Sequence, residues 1–480
     1  MTRSISFDNS YARLPGKFYA KLPPDVAPKP ELIRVNHSLA SEIGVDAGWL
    51  ESEEGIAMLS GAAVAEGSEP LAMAYAGHQF GGWSHQLGDG RAHLLGEVVG
   101  PDGIRRDIQL KGSGQTPFSR AGDGKAALGP VLREYIVSEF MAAAGVPTTR
   151  ALAATLTGAR VQRETGQPGA VLARVAQSHV RVGTFQYFYA REDAEAVKTL
   201  ADYVIERHYP EATAAEKPYR TLLEGIVDRQ ARLIAQWMAL GFIHGVMNTD
   251  NMQVVGETID YGPCAFMDAF HPQTVFSSID HGGRYAWANQ PNIGVWNLSR
   301  LAETLLPLLH EDADEGVKIA QHVLGQFSPI FNAALNGRFA RKFGMVEDAE
   351  FMQAAFKAMT DHGVDYTLFF SGLTRIAQGD DDGCVAELFH DPKSGADWIE
   401  TWRSKHDPAM VDTMAAENPV YIPRNHRVEQ ALVAANSGDF SLFETLIEVL
   451  KDPYSPQDRR KAYEAPPRPE EVVQQTFCGT

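Results

Sequence analysis

Two textures of hydrophobic spacing divide the chain. Beyond residue 195 the apolar positions recur at helical intervals. In RTLLEGIVDRQARLIAQWMALG they stand at 222, 223, 226, 227, 233, 234, 237 and 238, the stripe of an amphipathic helix. The same period returns at 297–310, 312–336, 347–360 and 428–451. Between 72 and 190 the apolar runs are shorter and broken by glycine. RAHLLGEVVG, a PDG turn and RRDIQLKG predict two strands joined by a hairpin. A Gly/Ser-rich connector, GSGQTPFSRAGDGKAALG, leads to a helix that Pro130 opens and Gly145 closes, with Leu132, Ile136 and Phe140 on its apolar stripe. RALAATLTGA, AVLARVAQS and VRVGTFQYF predict further strands over 150–190. The order predicts an α+β protein: an N-terminal extension (1–71) with a Pro-rich piece, a β-rich lobe with one helix (72–190), a larger helical lobe (191–380), and a C-terminal helical extension and tail (381–480).

Composition narrows the class. A chain of 480 residues with 44% hydrophobic and 22% charged residues suits a soluble enzyme of two or three domains. Its three cysteines, Cys264, Cys384 and Cys478, lie too far apart for a zinc cluster or a disulfide scaffold, which fits a reducing compartment. The N-terminus lacks the apolar run of a secretory signal, and no stretch approaches the ~18 apolar residues of a membrane span. A cytoplasmic protein without membrane partners is expected. The net charge of −18 counts against nucleic-acid binding. Residues 91–181 invert that sign locally, with twelve Lys/Arg against seven Asp/Glu. A basic island of this kind suits a small anionic ligand such as a nucleoside triphosphate, or forms by chance on a solvated face.

Four groups of residues carry candidate chemistry. Gly88-Asp89-Gly90-Arg91 precedes a strand, where glycines let backbone N–H groups approach phosphate; a plain β-turn explains it equally well. Lys111 ends the strand DIQLK, and Glu134 follows in the Pro130 helix. A strand lysine held by a helix glutamate is how kinase folds aim a lysine at phosphates, although Glu134 lies off the apolar stripe and also fits a solvated face. His244-Gly-Val-Met-Asn-Thr-Asp250-Asn251 follows the strongest helix; MQVVGETID then predicts a hairpin, ending at Asp260-Tyr261-Gly262. That is the layout of a kinase catalytic loop and metal-binding segment, with Asn251 and Asp260 as oxygen ligands for Mg²⁺. Val246 stands where an H-G-D loop keeps its catalytic aspartate, which leaves Asp250 as the nearby proton acceptor. Finally, Lys111, Arg120, Lys125, Arg174 and Arg181 form a cation set able to grip β- and γ-phosphates as a leaving group. His78 and His85, flanked by glycines without a carboxylate set, read as structural.

At these residues the sequence resembles the selenoprotein O family of protein adenylyltransferases. The matching stretches are YAGHQFGGWSHQLGDGRAHLLGE, DIQLKGSGQTPFSRAGDGKAALGPVLREY, HGVMNTDNM, IDYGPCAFMD and NPVYIPRNHRVE, which lie between residues 74 and 429. The resemblance implies a protein-kinase-like two-lobed fold that binds ATP in a flipped orientation. It implies transfer of AMP to Ser, Thr or Tyr hydroxyls of proteins with release of pyrophosphate, UMP transfer from UTP in bacterial members, and Mg²⁺ or Mn²⁺ as cofactor. Carried over by motif, Asp250 is the proton acceptor and Asn251 and Asp260 bind the metal. Gly88, Gly90, Arg91, Lys111, Asp123, Gly124, Arg174, Arg181 and Asp260 hold the nucleotide, and Glu134 pairs with Lys111. Eukaryotic members end near a selenocysteine, where this chain has Cys478; Cys264 is the nearest partner by motif position, and a plain exposed thiol is the simpler reading. Two rival functions use the same residues: a kinase that moves the γ-phosphate, against which Val246 argues, and a nucleotide-binding scaffold that senses redox stress through Cys478.

Overall fold

Residues 5–473 are described by the structure, a computed structural model of the chain. The strands are β1 (Tyr19–Lys21), β2 (Glu31–Val35), β3 (Leu71–Met73), β4 (Gly77–Gln79), β5 (Gly82–Ser84), β6 (Ala92–Val99), β7 (Arg105–Lys111), β8 (Ala126–Ala127), β9 (Arg150–Gln162), β10 (Gly166–Ala176), β11 (Phe242–Ile243) and β12 (Ala265–Phe266). Eight of them form one antiparallel sheet, ordered β1-β3-β6-β7-β10-β9-β2, with β8 pairing β10 from the side. The expected 91–112 hairpin is β6–β7. Strands from the first 71 residues occupy both ends of the sheet, so this segment belongs to the sheet itself.

Alternation along the strands sorts the two faces. Ile108, Leu110, Val171, Ala173 and Val175 point to a core closed by Leu39, Ile43, Leu50 and Leu59 of the N-terminal helices. Gln109, Lys111 and Arg174 therefore share the opposite face, brought into register by the Leu172–Lys111 and Arg174–Gln109 pairs of β10 and β7. That face is covered by the helix Leu128–Ala143, whose Leu132, Ile136 and Phe140 are fully buried.

Most of the remaining chain is helical. The expected amphipathic helix is Pro218–Ala239, with its proline in the first turn, where a missing N–H matters least. It packs against Gln290–Leu309 and Phe327–Phe343. The C-terminal helices Asn425–Asn436 and Ser441–Leu450 return to the sheet-side lobe and pack on Leu128–Ala143. No helix among the described residues is long and apolar enough to cross a membrane.

Three local expectations change. VRVGTFQYF is not a strand: Val182–Tyr189 is a helix, started by the Thr184 hydroxyl, which accepts a hydrogen bond from the Arg181 N–H at 3.1 Å. Its β-branched and aromatic content reflects burial rather than sheet pairing. The 252–260 segment forms no hairpin, because its backbone groups pair elsewhere. Val182 N–H donates to the Met252 carbonyl and Val254 N–H to Val180, while Thr258 exchanges bonds with Thr149 and Pro147. The helix carrying Glu134 begins two residues before Pro130, and Glu134 is buried rather than solvated.

Lys342 in the Phe327–Phe343 helix is an anomaly of the helical core. It is 2% exposed, and its ammonium lies 4.4 Å from the Phe370 ring centroid and 5.8 Å from that of Tyr366. Burial pushes the amine down from 10.5 to about 7. Below that value the folded state must carry a desolvated charge; between 7 and 10.5 the unfolded chain binds the proton and the folded one does not, so stability rises with pH. Lys342→Met is therefore expected to be more stable than the wild type by on the order of 2 kcal/mol at pH 6. In thermal melts the advantage should shrink between pH 7 and 10; a gap independent of pH would contradict the assignment.

Candidate functional site

Five charged side chains from five separate segments meet where the covered face of the sheet opens. Lys111 Nζ, at the end of β7, lies 2.5 Å from Glu134 Oε2 and 2.5 Å from Asp260 Oδ1. Arg174 of β10 reaches Glu134 Oε1 at 3.1 Å and Asp260 Oδ1 at 2.9 Å. Arg181, just before the Val182–Tyr189 helix, donates to the Asp250 carbonyl at 2.7 Å and pairs with Asp260 Oδ2 at 3.1 Å. Burial alone would raise the pKa of Asp260, but Lys111, Arg174 and Arg181 outweigh it and hold this carboxyl well below the usual carboxylate range. Asp260 also adopts a left-handed backbone (φ 65°), a conformation that non-glycine residues seldom take and that clusters at functional sites.

The 244–251 loop lies beside this cluster. His244 is fully buried, and its Nε2 lies 2.9 Å from the Ile259 carbonyl, which ties the loop to the residue before Asp260. Asn251 donates its amide nitrogen to the Val246 carbonyl at 2.9 Å, leaving its amide oxygen as the atom suited to a cation. Asp250 is buried, with Oδ2 accepting from Gln79 Nε2 at 3.0 Å and Oδ1 buried without a partner. Burial pushes this carboxyl up to about 6 against the opposing pull of Gln79 and Arg181. A carboxyl shifted this far can exchange a proton near neutral pH.

The β4–β5 hairpin clamps the loop from outside. His78 N–H donates to Thr249 Oγ1 at 2.7 Å and Phe80 N–H to Asn248 Oδ1 at 3.0 Å. A Cβ at Gly77 would stand 2.7 Å from Asp250 Oδ1, so the strand approaches this closely only because residue 77 is glycine. His78 also meets Gln186 at 3.0 Å, and Trp83 Nε1 donates to His85 Nδ1 at 3.0 Å, in keeping with structural roles for both histidines.

The glycine motifs are built for close packing. Cβ atoms at Gly88 and Gly90 would strike Phe118 at 2.3 and 2.8 Å, and one at Gly124 would meet the Gly114 carbonyl at 2.1 Å. Phe118 thus presses the 112–126 connector onto the turn that ends at Arg91. Asp123 sits on the outer part of this connector, paired with Arg163 at 2.9 Å, and Arg120 is exposed. These two stand apart from the Lys111 cluster. Cys264 is buried in the core, and Cys478 lies outside the described residues.

Four participants escaped sequence reasoning. Asp89, read only as the middle of a glycine turn, is buried; it accepts from Met73 N–H and Gln109 Nε2 at 3.0 Å each and faces Arg181 at 3.8 Å. Gln109 in turn receives Arg174 Nε at 2.8 Å. Tyr75 lies under the Arg181 guanidinium at 4.5 Å, and Gln79 holds Asp250. Their only sequence signal is membership of the stretches YAGHQFGG, LGDGR and DIQLK.

The site can bind a polyanion, present oxygen ligands to a hard cation and accept a proton. Among the described residues no group of three or more His, Cys, Asp or Glu could hold a metal by itself. Asn251 and Asp260 could serve as two of the ligands of an ion that takes its others from phosphate and water, the habit of Mg²⁺.

Residues 2–451 match the family described as Protein adenylyltransferase SelO. The chain is 57% identical to the Protein nucleotidyltransferase YdiU of Rhodopseudomonas palustris (strain BisB5), with 100% of each chain covered. It is 57% identical to that of Rhizobium meliloti (strain 1021), covering 99% of this chain and 100% of the relative. With the YdiU of Bradyrhizobium sp. (strain BTAi1) it shares 55% identity over 100% of both.

Removing one charge from the cluster should expose its interdependence. Asp260→Asn leaves Lys111, Arg174 and Arg181 facing fewer carboxylates, and a loss of about 3–5 kcal/mol is expected in urea unfolding of the ligand-free protein. Unchanged stability would show that the cluster is well solvated.

Proposed function

The chain belongs to the SelO family of protein adenylyltransferases and is a protein nucleotidyltransferase; from that premise we propose that it moves AMP from ATP, or UMP from UTP, onto Ser, Thr or Tyr hydroxyls of proteins and releases pyrophosphate. The observation that carries this reading is the convergence of Lys111, Arg174 and Arg181 on Asp260, with the unpartnered Asp250 Oδ1 beside them.

The architecture supports a kinase-like, two-lobed reading. Lys111 ends a strand of an antiparallel sheet, its glutamate partner comes from the following helix, and Asn251 and Asp260 come from successive loops of the helical part. We take 72–190 as the N-lobe and 191–380 as the C-lobe, with 1–71 adding the strands at both edges of the N-lobe sheet and 381–480 as a C-terminal extension.

Each residue has a physical part. The phosphates of the incoming nucleotide compete with Asp260 for Lys111, Arg174 and Arg181, and the three cations hold the β- and γ-phosphates. Glu134 keeps Lys111 and Arg174 extended toward them. The turn at Gly88, Gly90 and Arg91 and the connector at Asp123 and Gly124 form the remaining wall of the nucleotide site. Asp260, once the phosphates have taken its cationic partners, and the Asn251 amide oxygen would hold Mg²⁺ or Mn²⁺, which would neutralise phosphate charge there. Asp250 Oδ1 takes the proton of the acceptor hydroxyl as its oxygen forms a bond to the α-phosphorus. The bond from that phosphorus to the bridging oxygen breaks, and the charge on departing pyrophosphate is met by the three cations.

Protein acceptors incubated with Mg²⁺ and ATP labelled at the α- or the γ-phosphate test the reading. Label from the α-position alone is expected, abolished by a chelator and by Asp260→Ala. Asp250→Asn should slow transfer by about 10²-fold or more while ATP affinity changes far less. Label from the γ-position would instead make the protein a kinase, and none from either would make it a scaffold.

A further inference from the structure

The outer side of the β4–β5 hairpin carries aromatic and cationic groups, half-buried for the most part, to which no part in holding the nucleotide has been given. The His78 ring packs 4.8 Å from Trp83 and 5.2 Å, edge-on, from Trp296. Phe80, at the hairpin tip with φ 50°, lies 5.1 Å from Tyr285. The Arg284 guanidinium stacks 4.7 Å from the Trp296 ring, and that of Arg300 lies 5.4 Å from the same ring. Trp83, Trp296, Arg284 and Arg300 all keep part of their surface in solvent.

The charges on this face are unevenly paired. Arg300 meets Glu303 at 2.5 Å, whereas among the described residues Arg284 makes no ion pair; the Nε of each is buried without a hydrogen-bond partner. A guanidinium stacked on an aromatic ring keeps its N–H edge free to fork onto a carboxylate. A surface of this sign is distinctive on a chain whose net charge is −18, which repels acidic partners elsewhere. Its place is equally specific: the strand beneath it donates from Gln79 to Asp250, the proton acceptor. The far edge of β5 pairs with no strand among the described residues, so an extended segment has backbone groups to lie against.

We propose that this face is the acceptor-docking surface, and that it takes an acidic, extended segment of the target protein flanking the hydroxyl to be modified. The inference rests on the transfer reading above and names the substrate class for it. Arg284 binds a carboxylate beside the Trp296 ring and Arg300 a second one in exchange for Glu303, while Trp83 and Phe80 support the segment along the hairpin that covers the Asp250 loop.

Peptides with one serine and acidic, neutral or basic flanks, incubated with Mg²⁺ and ATP labelled separately at each phosphate, decide the matter. The expected kcat/KM with the α-label is about tenfold higher for the acidic than for the neutral peptide. Arg284→Glu should erase or reverse that order while ATP affinity, measured by calorimetry, stays at the wild-type value. Arg300→Glu, on the solvent side of its helix, is the second variant should the first not fold, and is expected to lower the same preference. Equal α-transfer to all three peptides, or a preference unchanged in both variants, overturns the docking surface and leaves nucleotide transfer standing. Label from the γ-phosphate alone overturns the transfer reading, and this inference with it.

Discussion

Charge desolvation is the constraint around which the molecule is arranged. Lys111, Arg174 and Arg181 on one side and Glu134 and Asp260 on the other have been drawn largely out of water, and each alone would be strongly destabilising there. They are tolerable only together and only at hydrogen-bonding distance. That demand binds β7, β10, the helix Leu128–Ala143, the start of Val182–Tyr189 and the loop at Asp260 to one another.

The neighbouring structure restrains these segments. Arg133, one residue before Glu134, donates to the carbonyls of Gly262 and Cys264 at 2.9 and 2.5 Å and to Asn425 at 2.9 Å. One side chain thus links the helix bearing Glu134, the segment after Asp260 and the C-terminal helices. Arg424, 1% exposed, performs a similar service deeper in the helical part by pairing with Asp268 and Asp365. On the other flank, Asp107 joins His179 at 2.9 Å and Arg207 at 2.6 Å, fixing the connection between β10 and Arg181. The helices Asn425–Asn436 and Ser441–Leu450 therefore bear on the site through Arg133 and the packing of Leu128–Ala143.

Asp250 and Asp260 show how environment separates two like groups. Both are carboxylates held near the same arginine, yet one is pressed upward by burial and the other downward by three cations. One carboxyl can therefore exchange a proton near neutral pH while the other stays ionised.

Several elements were legible from residue order. The β6–β7 hairpin, the Leu128–Ala143 helix and the Pro218–Ala239 helix each carry their period and their turn residues within a short window, and the pairing of Lys111 with Glu134 was legible from a strand lysine followed by a helix glutamate. The helical state of Val182–Tyr189 was hidden because burial favours the same side chains that sheets do. The 252–260 segment was misleading because its backbone bonds go to residues of two distant segments, 147–149 and 180–182. Gln79, Asp89 and Tyr75 acquire meaning only through contacts that cross the fold, as Gln79 meets Asp250 and Tyr75 meets Arg181. Local spacing determined which elements form and which chemistry is available. Tertiary structure alone decided which charges meet, because pairing a buried charge is a condition on distance in space and leaves no period along the chain.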